Sequence, residues 1–442
     1  MNEKNKTVDM LHGPLTQKII LFSLPIALSS MLQQLFNAAD TSVVGHFADA
    51  NALAAVGTNG EIVALLVTLS AGLSVGANVC IARLIGEKKY SEISNVLPTA
   101  ILFSIFMGIS GSILGQFTAR PLLIAIKTPA SVLNAATIYL RIYFAGYPFL
   151  LLYDFGSAIL RSKGDSRRPF VALTVSGCIN VLLNLFFVIC CNLSVAGVAI
   201  ATDISMAIAA GMVLFWLIKE PAAFHLSIRQ LHFHRQSFFN ILAIGIPAAL
   251  QGAVFCLANI FVQASVNRFG AIATAGSTIA MNFEYFGYYV ITAFGQAATT
   301  FTSQNFAANK KKRCTLVLTN CLLFSVLFSA MITVPLTIWR TEFSHLFSTE
   351  PSVIEASCVR IMLILLYEPV CCFYEIPAGA LRGKGHSTLP AVLTILGTCL
   401  VRVVWIFTVF QHYQTLESLF IVFPVSWVVT TLLIWVGYLI HS

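Results

Sequence analysis

The sequence has little charge. Lysine, arginine, aspartate and glutamate make up 10% of 442 residues, against roughly 25% in soluble domains. With 26 basic and 18 acidic side chains, a soluble chain of this length could not cover its own surface, so a soluble enzyme is excluded. The sequence also lacks the alternation of about ten residues per strand that marks an outer-membrane barrel, because its apolar segments are long runs. There is no soluble domain: the longest hydrophilic link covers residues 219–237. No signal peptide is expected, since the first apolar run is too long and contains Asn37 and Asp40.

Other absences narrow the function. The 11 cysteines include no CxxC, and the adjacent pairs Cys190-Cys191 and Cys371-Cys372 are poorly placed for disulfides. They read as buried free thiols. No histidine falls at a span centre, and no span carries His–Asp, Ser–Lys or metal-ligand spacing. This argues against a protease, cyclase or metalloenzyme, so no enzymatic activity is expected. There is no nucleotide-binding loop, hence no direct ATP drive. No basic–aromatic constellation points to nucleic acid.

What is present is apolar sequence: 57% hydrophobic residues and a mean hydropathy of +0.84. Twelve apolar stretches, from Ile19–Val44 to Leu416–Ile440, are each long enough to cross a bilayer. The expected fold is an all-α polytopic membrane protein with twelve transmembrane helices. Basic residues orient it. The N-terminal tail and even-numbered loops carry 19 lysines and arginines, and the odd loops carry 4. The first side is therefore expected to be cytoplasmic, with both termini on it. The net charge of +8 is a topology signal. The stretch His225–Arg235 reads as a short helix on the inner surface.

The chain repeats itself. Ala158-Ile-Leu-Arg-Ser-Lys-Gly-Asp-Ser-Arg-Arg-Pro169 returns as Gly379-Ala-Leu-Arg-Gly-Lys-Gly-His-Ser-Thr-Leu-Pro390, with six of twelve positions identical at an offset of 221. Pro148 and Pro369 share that offset, as do Asp154 and Glu375. At 222, Pro25 meets Pro247. Two six-span lobes are implied, 1–218 and 238–442, joined by the linker 219–237. Because six is even, the lobes should be related by a pseudo-two-fold along the membrane normal, as in parallel-repeat transporters that work by alternating access. In each copy of the motif the glycine, Gly164 or Gly385, permits a tight reversal, and the basic residues read as anchors at phosphate level.

Four features together resemble the multidrug and toxic compound extrusion family over nearly the whole chain. They are Asn37-Ala-Ala-Asp40-Thr-Ser-Val-Val-Gly45, Gly72-Leu-Ser-Val-Gly76 leading to Ala82-Arg-Leu-Ile-Gly86, Leu160-Arg-Ser-Lys-Gly164-Asp-Ser, and Gln304-Asn305 before Lys310–Arg313. The resemblance implies a two-lobed, twelve-helix antiporter that exports organic cations and other amphipathic compounds in exchange for sodium or protons. No cofactor beyond that ion is expected. The bilayer is the expected surrounding, the cell membrane the expected location, and a monomer the expected state.

Intramembrane charges are costly unless paired or wet, so each is a candidate for function. Asp40, toward the outer end of span one, is the leading ion-coupling residue: a carboxylate there can hold sodium or take a proton. The resemblance adds polar partners on spans five and six, at Asn180, Asn184 and Thr202. Many relatives carry an aspartate where this chain has Asn184. Asp203 could serve the same site or tie helices. Glu284 and Glu61 hold similar places in spans eight and two. The resemblance puts those spans beside the central cleft, where the carboxylates would attract a lipophilic cation, with Asn37 and Tyr288 as further contacts. Pro25 and Pro247 interrupt spans one and seven and permit bending. Asp154 and Glu375 are expected to pair with Arg161 and Arg382, and Glu368 with Arg402. A related reading keeps the fold but changes the cargo to a lipid-linked or other amphipathic metabolite. The acidic character assigned to the cleft favours cationic cargo.

Overall fold

The computed structural model describes residues 7–47 and 50–441. Among them there is no strand, and twelve long helices follow in order. They are α1 (Leu15–Phe47), α2 (Ala50–Gly86), α3 (Tyr90–Ala125), α4 (Ala130–Ser162), α5 (Arg167–Leu185), α6 (Ser194–Ile218), α7 (Arg235–Asn267), α8 (Ala271–Ala307), α9 (Lys311–Ile338), α10 (Pro351–Gly383), α11 (Thr388–His412) and α12 (Leu416–Ile440). Eleven are long and apolar enough to cross a bilayer. The exception is α8, of 37 residues. It is long enough, but serines, threonines, asparagines, glutamines and Glu284 lower its hydropathy. Helices are the natural answer to lipid, where each backbone N–H and C=O must find its partner within the segment.

Three helices depart from regular geometry. A π turn, Phe186–Cys190, extends α5. The middle of α10 tightens to a 3₁₀ stretch, Leu365–Cys371. In α11 the segment Ile395–Leu400 is π-helical.

The helices pack as two compact units. One comprises Leu28–Ala249 with the segment ending at Val8; the other comprises Asp9–Ala27 and Leu250–Ser442. Thus α1 and α7 each belong to both units, and each crosses two residues after a proline, Pro25 or Pro247. In the first unit, α2 meets the early part of α7 almost backbone to backbone. A Cβ on Gly72 would lie 2.4 Å from the Ala249 Cα, and one on Gly76 would lie 2.2 Å from the Ile241 carbonyl oxygen. Small residues allow such approach between membrane helices, which gives the Gly72–Gly76 motif its reason.

The repeated Arg-x-Lys-Gly motif closes α4 and α10 identically. Gly164 and Gly385 have φ of +97° and +96°. Their N–H groups donate to Arg161 O and Arg382 O, each at 2.9 Å. The left-handed conformation suits glycine alone without strain. The basic residue between them does more than anchor to lipid. Lys163 pairs with Glu220 just beyond α6, and Arg168 binds the same carboxylate and Asp165. Burial pushes the Glu220 carboxyl up, but hydrogen bonds from Lys163 and Arg168 outweigh it and hold the group below its ordinary value of 4.5. Because the folded value is depressed, this contribution to stability is full above the ordinary value and is lost as pH falls through the folded one. Glu220→Gln should therefore lower the thermal midpoint of the detergent-solubilised protein at neutral pH. The gap from wild type should close as pH falls below the folded value, and a gap that persists once the carboxyl is protonated would contradict the pairing.

Candidate functional site

The first unit gathers its polar residues where α1, α5 and α6 meet. Phe36 and Asp40 are one turn apart on α1, while Gly177, Asn180 and Asn184 lie along one face of α5. Phe36 fills the space over Gly177: a Cβ there would sit 1.8 Å from the ring. That contact sets α1 close to α5, and Asp40, one turn beyond Phe36, meets Asn184, two turns beyond Gly177. Asp40 is 9% exposed and Asn184 fully buried. Asn184 Nδ2 donates to Asp40 Oδ1 and lies 3.2 Å from Asn180 Oδ1. Asn180 Nδ2 reaches Thr202 Oγ1 at 3.4 Å, and Thr202 donates to Val198 O at 3.0 Å. The chain runs from a carboxylate through two amides to a hydroxyl, without a cation. Asn184 Oδ1 is buried and has no hydrogen-bond partner.

Asp203, next to Thr202, turns to α4 and accepts from the Gly146 backbone N–H. A Cβ on Gly146 would fall 2.0 Å from Asp203 Oδ1, so only glycine admits the carboxylate there. Tyr139, one to two turns earlier on α4, lies within electrostatic reach of both Asp40 and Asp203. Neither Gly146 nor Tyr139 stood out in the sequence, where a lone glycine or tyrosine in a span carries no signal. Asn37 and Glu61 are exposed; Asn37 contributes its carbonyl to Thr41 at 3.0 Å.

The second unit treats its charges differently. Glu284 is clasped by Arg360, with Nε and Nη2 at 2.7 and 2.8 Å from its two oxygens. Arg360 Nη1 donates to Ser277 at 2.6 Å. The carboxylate is thus neutralised by a bidentate pair joining α8 to α10. Glu375 pairs with Arg382 at 3.2 Å as expected, and its repeat mate Asp154 lies within electrostatic reach of Arg161. The expected Glu368–Arg402 bridge is not among the ion pairs of the described residues. Glu368 Oε2 faces Gly287 and Thr333 and has no hydrogen-bond partner. Arg402 instead binds Asn259 at 2.6 Å and Ser426 at 3.3 Å. The reason is local geometry: Glu368 lies within the 3₁₀ stretch and Arg402 follows the π stretch, so a regular 3.6-residue period misassigns both faces. Tyr288 stacks on Phe255, with centroids 6.3 Å apart and planes at 3°.

A chain of two like six-helix halves, with ionisable groups buried in each, defines a polytopic membrane transporter. The MatE family model matches residues 25–186 and 247–408, two equal segments offset by 222, and the chain belongs to this family of transporters. A probable multidrug resistance protein of Bacillus subtilis, YoeA, is 27% identical over 428 residues, covering 95% of this chain and 92% of its own. The FAD transporter of Shewanella oneidensis is 26% identical over 350 residues, covering 78% and 77%. A crystal structure of a MATE protein in complex with MaL6 superposes with a TM-score of 0.92 over 99% of this chain and 98% of its own, at 22% identity. That likeness is one of fold.

The clasp between Glu284 and Arg360 is testable. Breaking a buried ion pair from one side costs about 3–5 kcal/mol, whereas replacing both partners with apolar residues of similar size is often nearly neutral. Arg360→Met alone should lower the thermal midpoint sharply, and Arg360→Met with Glu284→Leu should recover most of the loss. Additive losses in the double variant would show that the two groups act independently.

Proposed function

We propose that the protein is a multidrug efflux antiporter, exporting amphipathic compounds in exchange for sodium or protons by alternating access. It would act in the cell membrane with both termini in the cytoplasm, with no cofactor beyond the coupling ion. The observation that carries this reading is the buried chain Asp40–Asn184–Asn180–Thr202, in which one amide meets the carboxylate and leads on to a second amide and a hydroxyl, with no positive partner among the described residues. An acid in such a place must be charge-compensated by something that binds, and a proton or a small cation meets that need. The unpartnered Asn184 Oδ1 beside it is a neutral oxygen of the kind a hard cation takes as a ligand.

The other candidates fall around this centre. Asp203, on α6 and turned to Gly146 of α4, is a neighbouring ionisable group. Glu61 and Asn37, both exposed, are the acidic and amide groups that the first unit offers to cargo, and Tyr288 is an aromatic surface of the second unit. Glu284 is already compensated, so its task is to hold α8 to α10. Pro25 and Pro247, two residues from where α1 and α7 pass between units, are the bending points. Relatives are named for drugs and for FAD, so kinship leaves the cargo's charge open.

The test is transport of a fluorescent amphiphile in vesicles, with sodium and proton gradients imposed separately. One gradient should drive transport, and Asp40→Asn should remove gradient-driven transport while leaving the protein folded. Transport that neither gradient drives would overturn the antiport reading. Transport untouched by Asp40→Asn would overturn the site.

A further inference from the structure

The second unit carries a counterpart of the first unit's polar pocket, with its charge reversed. At the offset of 222 between the matched segments, Asn37 corresponds to Asn259 and Asn180 to Arg402, while Asp40 and Asn184 correspond to Val262 and Ile406. One half has a carboxylate among amides. The other has a guanidinium in place of an amide and no carboxylate, and that guanidinium is bonded to Asn259, the asparagine at the place of Asn37.

Arg402 is fully buried. Its Nη1 donates to Asn259 Oδ1 at 2.6 Å and its Nε to Ser426 Oγ at 3.3 Å. The guanidinium lies over the rings of Phe423 at 4.2 Å and Phe255 at 5.2 Å. Nη2 has no hydrogen-bond partner. Arg360 and Arg382 each have a carboxylate, but among the described residues Arg402 has none at ion-pairing distance. Glu368 shares the neighbourhood of Cys371 with Arg402, yet its free oxygen is turned to Gly287 and Thr333. Arginine does not discharge by losing its proton, so this cation stays charged and needs an anion. Asn259 and Phe255, which touch the guanidinium, are half-buried, and Tyr288 extends the aromatic surface by stacking on Phe255. A donor-only fork beside flat rings suits a planar molecule with an acidic group.

We propose that the second unit binds an aromatic amphipathic anion, its carboxylate, sulfonate or phosphate on the Arg402 Nη2 edge and its ring against Phe255 and Tyr288. This names a cargo class and rests on the transport reading only for the ligand's being carried. Binding itself does not depend on that reading. The repeat then divides the labour: the acidic pocket of the first unit takes the coupling cation, and the basic pocket of the second takes the anion.

The experiment measures equilibrium binding to the full chain in neutral-lipid nanodiscs, with no gradient, by fluorescence anisotropy. Fluorescein and rhodamine 6G share a ring system and differ in charge. Wild type should bind fluorescein, and Asn259→Asp, nearly isosteric, should place a carboxylate on Arg402 and neutralise it in place. Fluorescein affinity should fall by about tenfold or more, rhodamine 6G affinity should not fall, and the thermal midpoint should not drop. If the midpoint does drop, Arg402→Lys is read instead. It keeps the charge but loses the fork, and should weaken fluorescein selectively. Unchanged fluorescein affinity in both variants, or equal weakening of both dyes, overturns the proposal. Loss of gradient-driven transport with the dye discrimination intact would overturn the antiport reading and leave this site standing.

Discussion

A charge placed in hydrocarbon must be answered from within the chain, and most of this structure's interior follows from that demand. Arg360 answers Glu284, tying α8 to α10, and Arg382 answers Glu375 two turns away on α10 itself. Just beyond α6, Glu220 gathers Lys163 and Arg168, tying the turn after α4 to the end of α6. The same demand makes the exceptions informative. Asp40 is met by the Asn184 amide, and Arg402 by an amide and a hydroxyl. Among the described residues neither has an opposite charge at ion-pairing distance, which is what a bound ion or ligand would supply.

The two halves show how a duplicated scaffold can keep its frame and change its chemistry. The reversals at Gly164 and Gly385 match in dihedral angle and in hydrogen bonds, because a helix end that must turn within two residues has few solutions. The pocket residues are under no such constraint. Asn37 and Asn259 stand at equivalent places, while Arg402 takes the place of Asn180 and Val262 and Ile406 those of Asp40 and Asn184, so the polar chemistry differs between the halves.

Much of this was legible in the sequence. Apolar run length fixes the helices, the offset fixes the repeat, and a glycine after Arg-x-Lys forecasts the reversal. The grouping of Asp40 with Asn180, Asn184 and Thr202 came from the family resemblance; spacing added only that Asn180 and Asn184, four residues apart, share a helix face. Glu284 was harder. Its partner Arg360 is 76 residues away, and nothing local says which of several intramembrane charges will meet it. Glu368 and Arg402 were misjudged for a different reason. Hydrophobic patterning assumes about 100° per residue, and a 3₁₀ turn advances about 120° while a π turn advances less. One irregular turn is enough to send a side chain to another neighbour. Neither the tightening at Leu365–Cys371 nor the loosening at Ile395–Leu400 has a sequence signature strong enough to announce it.

The exchange of helix ends between the two units carries the argument from packing to motion. The early part of α1 belongs to the second unit and the remainder to the first, and α7 does the reverse. Any displacement of one unit against the other must therefore pass through both helices. A regular helix resists this, since bending strains its ladder of hydrogen bonds. Pro25 and Pro247 each remove one bond from that ladder, and they lie two residues before the crossings. The compliance is placed where the covalent connection requires it. On α1 the same helix carries Asp40 about four turns farther on, so whatever changes the charge at Asp40 acts on an element that both units share.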